Sequence, residues 1–108
     1  MKAFGIANAL LSSTPSSQTA SSFAYPGVTP AISANGSTNA ILWAVENSGG
    51  AGVLHAYDPA NLATELYNSS QAGTRDNFSD NKFITPTIAN GKVYVGTPTG
   101  VIVFGLLQ

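Results

Sequence analysis

Apolar positions along this chain come in short runs separated by turn residues. Ile41-Leu42-Trp43-Ala44-Val45 is continuous and apolar, bounded by Asn39 and by Asn47-Ser48-Gly49-Gly50. A run of that length between turn signals reads as a strand covered on both faces. Val53-Leu54-His55-Ala56-Tyr57 follows Gly52 and stops at the breaker Asp58-Pro59. Glu65-Leu66-Tyr67 forms a shorter third candidate. Lys92-Val93-Tyr94-Val95-Gly96 and Val101-Ile102-Val103-Phe104 flank Thr97-Pro98-Thr99-Gly100, which predicts a hairpin. No segment sustains a 3.6-residue period. The one helical alternative is a single turn opened by Asp58 with Pro59 at its first position. Ser12 to Ser22 and Asn68 to Asn81 read as loops. The second is long for a hairpin and is expected to cross between units.

Self-similarity adds to this pattern. Thr29-Pro30-Ala31-Ile32-Ser33-Ala34-Asn35-Gly36 recurs as Thr85-Pro86-Thr87-Ile88-Ala89-Asn90-Gly91. Each copy leads into an apolar strand, then a glycine, then a second strand ending at Tyr57 or Phe104. A partial third copy stands at the N-terminus, where Lys2-Ala3-Phe4 matches His55-Ala56-Tyr57 and Leu10-Leu11-Ser12 matches Leu66-Tyr67-Asn68. The spacing of about 50 residues suits propeller blades, which repeat at roughly 40–50. A small twisted sheet that is apolar on both faces cannot bury them alone, and stacking on a neighbour does so. Asn-Gly before a strand supplies the positive-φ turn.

Composition narrows the function classes. Charged residues are 8% of the 108, with net charge −1, against roughly 25% in an average soluble domain. That balance gives no electrostatic footprint for nucleic acid or acidic membranes. Low charge also removes a common guard against strand-edge association. The absence of cysteine excludes disulfides, thiolate metal sites and cysteine nucleophiles. No apolar run reaches the roughly 20 residues of a membrane-spanning helix, so no membrane insertion is expected. The first eleven residues read in two ways, as strands or as a signal-like segment with Lys2 before a short apolar stretch that Asn8 interrupts.

Gly91-Lys92-Val93-Tyr94-Val95-Gly96-Thr97 followed by Gly100-Val101-Ile102-Val103-Phe104, with Leu54-His55-Ala56-Tyr57-Asp58, resembles the repeat of pyrroloquinoline-quinone-type β-propellers. Thr85 to Leu107 is similar to the last blade of secreted bacterial members of that family. The resemblance implies an all-β fold of antiparallel four-stranded blades, here a partial propeller of about two. Residues 1–24 would end a preceding blade (or form the signal-like segment), 25–81 one blade with its inter-blade loop, and 82–108 a terminal, incomplete blade. It also implies an extracytoplasmic location. Family enzymes that bind the quinone use calcium, a paired-cysteine ring and an acidic base. With no cysteine and no matching acid, the resemblance implies blades rather than a dehydrogenase.

Candidate chemistry is sparse. His55 is the only histidine, no serine lies in a Gly-x-Ser-x-Gly turn, and one histidine does not make a zinc site. No catalytic residue, cofactor or metal ligand is therefore expected. Asp76-Asn77-Phe78-Ser79-Asp80-Asn81 has closely spaced oxygens, but lacks the glycine and terminal glutamate of a calcium loop. Arg75 and Lys82 offset its charge, so a solvated loop is the expectation. Trp43, Tyr57 and Tyr94 lie in apolar strands and read as core. Asn35-Gly36-Ser37, Asn68-Ser69-Ser70 and Asn77-Phe78-Ser79 match glycosylation acceptors by chance in so polar a composition. Tyr25, Asp76 and Asp80 remain as candidate contacts for a ligand or partner. The expected function is a non-catalytic propeller-repeat scaffold, structural or binding. The alternative is the terminal blades of a larger quinoprotein-dehydrogenase-like or hydrolytic enzyme with its active site elsewhere. Expected partners are further copies of the chain or other blades of a parent propeller.

Overall fold

The structure is a computed structural model that describes residues 1–105. Leu106, Leu107 and Gln108, the end of the segment expected to form the terminal blade, lie outside the described residues. Twelve strands follow in chain order. Four short ones form the N-terminal arm: β1 (Lys2–Ala3), β2 (Ile6–Ala7), β3 (Leu10–Leu11) and β4 (Ser17–Gln18). A central sheet comprises β5 (Ala31–Asn35), β6 (Thr38–Asn47), β7 (Ala51–Asp58) and β8 (Asn61–Asn68), with the short β9 (Phe78–Ser79) added beside the start of β7. A second sheet holds β10 (Thr87–Ala89), β11 (Lys92–Thr97) and β12 (Gly100–Phe104). All pairings are antiparallel. The described residues contain no α-helix, and no helix is long and apolar enough to cross a membrane.

The apolar runs lie where their pattern predicts. In β6, Trp43 and Val45 point to one face and Leu42 and Ala44 to the other, because side chains alternate along a strand. The register Val45↔Leu54 and Ala44↔His55 carries the same division into β7. One face joins Leu42, Ala44, Tyr57 and Leu62, covered by Met1, Ala3, Phe23 and Val28 of the N-terminal region. The opposite face brings Val45 and Leu54 against Val93 and Val95 of the second sheet, with Ile88, Ile102 and Phe104 around them. The central sheet is thus buried from both sides, which is why β6 and β7 read as near-continuous apolar runs.

Both Thr-Pro segments occupy the same local position. Each proline immediately precedes the first strand of an antiparallel meander, β5 after Pro30 and β10 after Pro86. A proline there removes a donor that the ladder does not use. The strands β5 and β10 also touch each other. The Asn-Gly turns differ, however. Asn90 and Gly91 both have positive φ, 50° and 69°, and form the two-residue loop between Ala89 and Lys92. In the earlier copy Asn35 still pairs, with Thr38, and the loop is Gly36-Ser37. The shift is absorbed by a bulge between Ser33 and Asn35 and by Asn39 at φ 53°.

Three sequence expectations are modified. Asp58-Pro59 opens a two-residue hairpin turn, not a helical one: Asp58 pairs with Asn61, and the Asp58 carboxylate accepts from Ala60 N at 2.9 Å. The stretch from Asn68 to Asn81 includes a 3-10 turn (Ser69–Ala72) and the strand β9. Ser69, buried, accepts from Leu54 N at 3.1 Å through Oγ, which anchors that segment to the sheet. Within the arm, Lys2–Ala3 pairs with Ser17–Gln18, and Leu10–Leu11 pairs with Ile6–Ala7. The two N-terminal matches are therefore not each other's partners. Asn8 and Ala9, both at positive φ, close a local two-residue turn, and the Ser/Thr-rich stretch returns to pair with β1. The arm is tied to the sheet through Ser17 Oγ, which accepts from Leu62 N at 3.1 Å, and through the N-terminal ammonium, which donates to Thr19 Oγ1 at 2.7 Å.

One glycine is fixed by packing. The Phe78 ring lies on β7 so closely that a Cβ at Gly52 would meet it at 2.1 Å. Replacing Gly52 by alanine therefore lowers stability by about 1–3 kcal/mol, the usual cost of overpacking. Leu54→Ala, at a side chain with 0% exposure, costs about 2–5 kcal/mol. Thr99→Ala, on an exposed turn position, changes stability by less than about 0.5 kcal/mol. Urea denaturation of the three variants checks this order.

Candidate functional site

The only histidine sits between the only two glutamates of the chain. Three adjacent strands place them on one face. His55 in β7 opposes Ala44, so Glu46, two residues further along β6, is its diagonal neighbour. Glu65 of β8 opposes Tyr57, two residues from His55 on the same face. His55 Nε2 lies 3.0 Å from Glu46 Oε2, and Nδ1 lies 2.5 Å from Glu65 Oε1. Asn68 Nδ2 donates to the other oxygen of Glu65 at 3.2 Å. The Tyr57 ring stacks on the imidazole at 5.9 Å, and Phe23 of the N-terminal region meets it edge-on at 5.5 Å.

Burial of Glu65 works against its charge, but hydrogen bonds from His55 and Asn68 outweigh this and hold its carboxyl below the usual range. Burial, then the neighbouring Glu65, pushes the Tyr57 hydroxyl up to about 12. Both ring nitrogens are committed to carboxylates, and no serine or threonine hydroxyl bonds to the ring. The arrangement is a brace across β6, β7 and β8 with Phe23 closing over it, not a nucleophile–base pair.

A second constellation lies on the opposite face. Tyr67 of β8 donates to Asp76 Oδ2 at 2.6 Å, and Arg75 grips the same carboxylate through Nε and Nη2 at 2.6 and 2.7 Å. The guanidinium, then the tyrosine hydroxyl, hold the Asp76 carboxyl down at about 2. Burial and the Asp76 contact push the Tyr67 hydroxyl up to about 12. These groups line a half-open groove between the two sheets together with Ile41, Trp43, Ile88 and Phe104. Trp43 is fixed there by Nε1 donating to Ser33 Oγ at 2.9 Å.

The three candidate residues named from the sequence have separate surroundings. Asp76 belongs to the groove. Asp80 clips the β6–β7 hairpin, its carboxylate accepting from Gly50 N at 2.9 Å. Tyr25 is 78% exposed, edge-on to Phe83 at 6.4 Å, with Lys82 Nζ 5.7 Å from its ring centre. Among the described residues no three His, Asp or Glu side chains converge as metal ligands. Sequence reasoning missed Glu46, Glu65 and Tyr67, and read Arg75 only as a charge offsetting the loop. The usable signal was the pairing of β6, β7 and β8, which places both glutamates on the histidine's face once the register is known.

Comparisons with protein-family models, curated proteins and solved structures return no match.

Two predictions follow from these contacts. His55→Ala leaves two partly buried carboxylates without their donor and lowers stability by about 2–3 kcal/mol; a loss below about 0.5 kcal/mol in urea denaturation contradicts the brace. Asp76 is held below its ordinary 3.8, at about 2, so its ionised form stabilises the fold. That contribution is complete above the ordinary value and disappears as pH falls through about 2. Melting curves recorded across this window show a steeper acid loss for the wild type than for Asp76→Asn.

Proposed function

We propose that the chain is a non-catalytic β-propeller-type repeat module, a scaffold whose sheets stack on one another and on further units of the same kind. The observation that carries this reading is the placement of the two Thr-Pro copies. Both lead into the first strand of an antiparallel meander, their first strands touch, and the sheets meet through Val45, Leu54, Val93 and Val95. Repeat architectures are built this way because each sheet buries its apolar face only against a neighbour.

The second sheet has another apolar face. Register places Tyr94, Val101 and Val103 on the side away from the central sheet, and Val101 and Val103 are 65% and 48% exposed. β12 carries no charge and no proline, so it lacks the usual devices that discourage association. A second copy of the chain fits this face by the same chemistry that joins the two sheets already present. The His55 brace supports the scaffold reading, since it spends the chain's only imidazole on cross-strand contacts.

Light scattering across a dilution series tests the proposal. The wild-type chain is expected to form a defined oligomer. Val101→Lys combined with Val103→Lys is expected to shift it to monomer with an unchanged circular dichroism spectrum. A wild-type chain that is monomeric at high concentration contradicts the reading.

A further inference from the structure

The described residues stack in three layers. The N-terminal arm covers the Leu42 and Ala44 side of the central sheet, and the second sheet covers the opposite side, with Val45 and Leu54. The strand registers align the two meanders. Ile32 pairs with Leu42 in the central sheet, and Ile88 pairs with Val93 in the second. Val93 and Val95 therefore correspond to Leu42 and Ala44. In each sheet this side is covered by the layer that precedes it in the chain, the arm in one case and the central sheet in the other. The other side of the central sheet is covered by the layer that follows. The matching side of the second sheet, with Tyr94, Val101 and Val103, has no layer against it among the described residues, and Val101 and Val103 are largely exposed.

The arm, at the other end of the stack, is also bare. Its β2–β3 hairpin sets Ile6 beside Leu11; these are 74% and 62% exposed, and Leu10 is 73% exposed. No charged residue occurs from Ala3 to Val45. The bare side of the second sheet carries one charge, Lys92, two residues from Tyr94 on the same side of β11. The second sheet contains no acid. Two copies meeting through this side alone would bring both lysines to one interface, and like charges juxtaposed there are costly. The uncharged hairpin adds no second charge. We propose that the bare side of the second sheet receives the β2–β3 hairpin of another copy, with Ile6 and Leu11 against Val101 and Val103, so that copies join head to tail. The contact repeats between chains the order of layers found within one. Because the joined surfaces differ, each added copy leaves one of each kind free until a ring closes. This inference rests on the repeat-scaffold reading and names the second surface that its self-association uses.

The absence of native cysteine allows a direct test on the full chain. Leu11→Cys and Val103→Cys are made separately, mixed, concentrated and oxidised, and the products are resolved by mass. A disulfide requires Cα atoms within about 7 Å, so it reports which surfaces meet. The mixed disulfide between the Leu11→Cys and Val103→Cys chains is expected to form about tenfold or more faster than either like pair, since a formed contact raises the effective thiol concentration. In a second arm, Ile6→Lys is combined with Leu11→Lys in the otherwise unaltered chain. Light scattering across dilution is expected to show association weakened about tenfold or more, because two charges would be desolvated against apolar side chains. Circular dichroism is expected to show an unchanged fold. Preferential linking of Val103→Cys chains to one another, or association that the arm substitutions leave unaltered, overturns the head-to-tail contact while the scaffold reading stands. A wild-type chain that stays monomeric overturns both.

Discussion

The seam where Val45 and Leu54 of the central sheet meet Val93 and Val95 of the second sheet decides the rest of the architecture. Fully burying a valine or leucine side chain is worth roughly 1.5–3 kcal/mol, and here both contributing surfaces are sheet faces. A sheet whose inner strands are apolar on both sides needs two covers. The second sheet supplies one. The N-terminal arm supplies the other through Met1, Ala3, Phe23 and Val28. Loops, turns and polar braces are arranged around that requirement. Phe78 reaches back over Gly52, Ser69 satisfies Leu54 N, and Ser17 satisfies Leu62 N.

The polar clusters follow from the same layering. On the arm side, the imidazole of His55 joins carboxylates from two neighbouring strands under Phe23. Burying charge is costly unless it is paired and hydrogen-bonded, and each partner here is supplied by cross-strand register. On the other side the sheets do not close completely. The gap collects Trp43, Tyr67, Arg75 and Asp76 at its walls. One face of the central sheet is thus closed by a hydrogen-bonded brace, whereas its other face leaves a groove.

Much of the fold was legible before any coordinates. Ile41–Val45, Val53–Tyr57, Lys92–Gly96 and Val101–Phe104 all fall within strands, because uninterrupted apolar runs between Gly, Pro and Asn leave few other solutions. The two Thr-Pro copies were equally readable, since a proline tolerates few positions beside a strand. The arm was harder. Its strands are two residues long, too short for any periodicity, and their pairing depends on turns at Asn8-Ala9 and on a serine-rich return. The sites were the least visible. Glu46 and Glu65 sit far from His55 in sequence and form no motif; only register brings them together. Asp76 was singled out as a loop acid with Arg75 beside it, but its partner Tyr67 emerged only once the long connection was seen to fold back on the sheet.

Methyl-to-methyl contacts in solution test the central claim most directly. With valine and leucine methyls labelled, nuclear Overhauser effects are expected between Leu54 and Val95 and between Val45 and Val93 or Val95, across the seam. Strong contacts within each sheet but none between these pairs would mean that the two meanders do not share a core, and the account built on their stacking would be wrong.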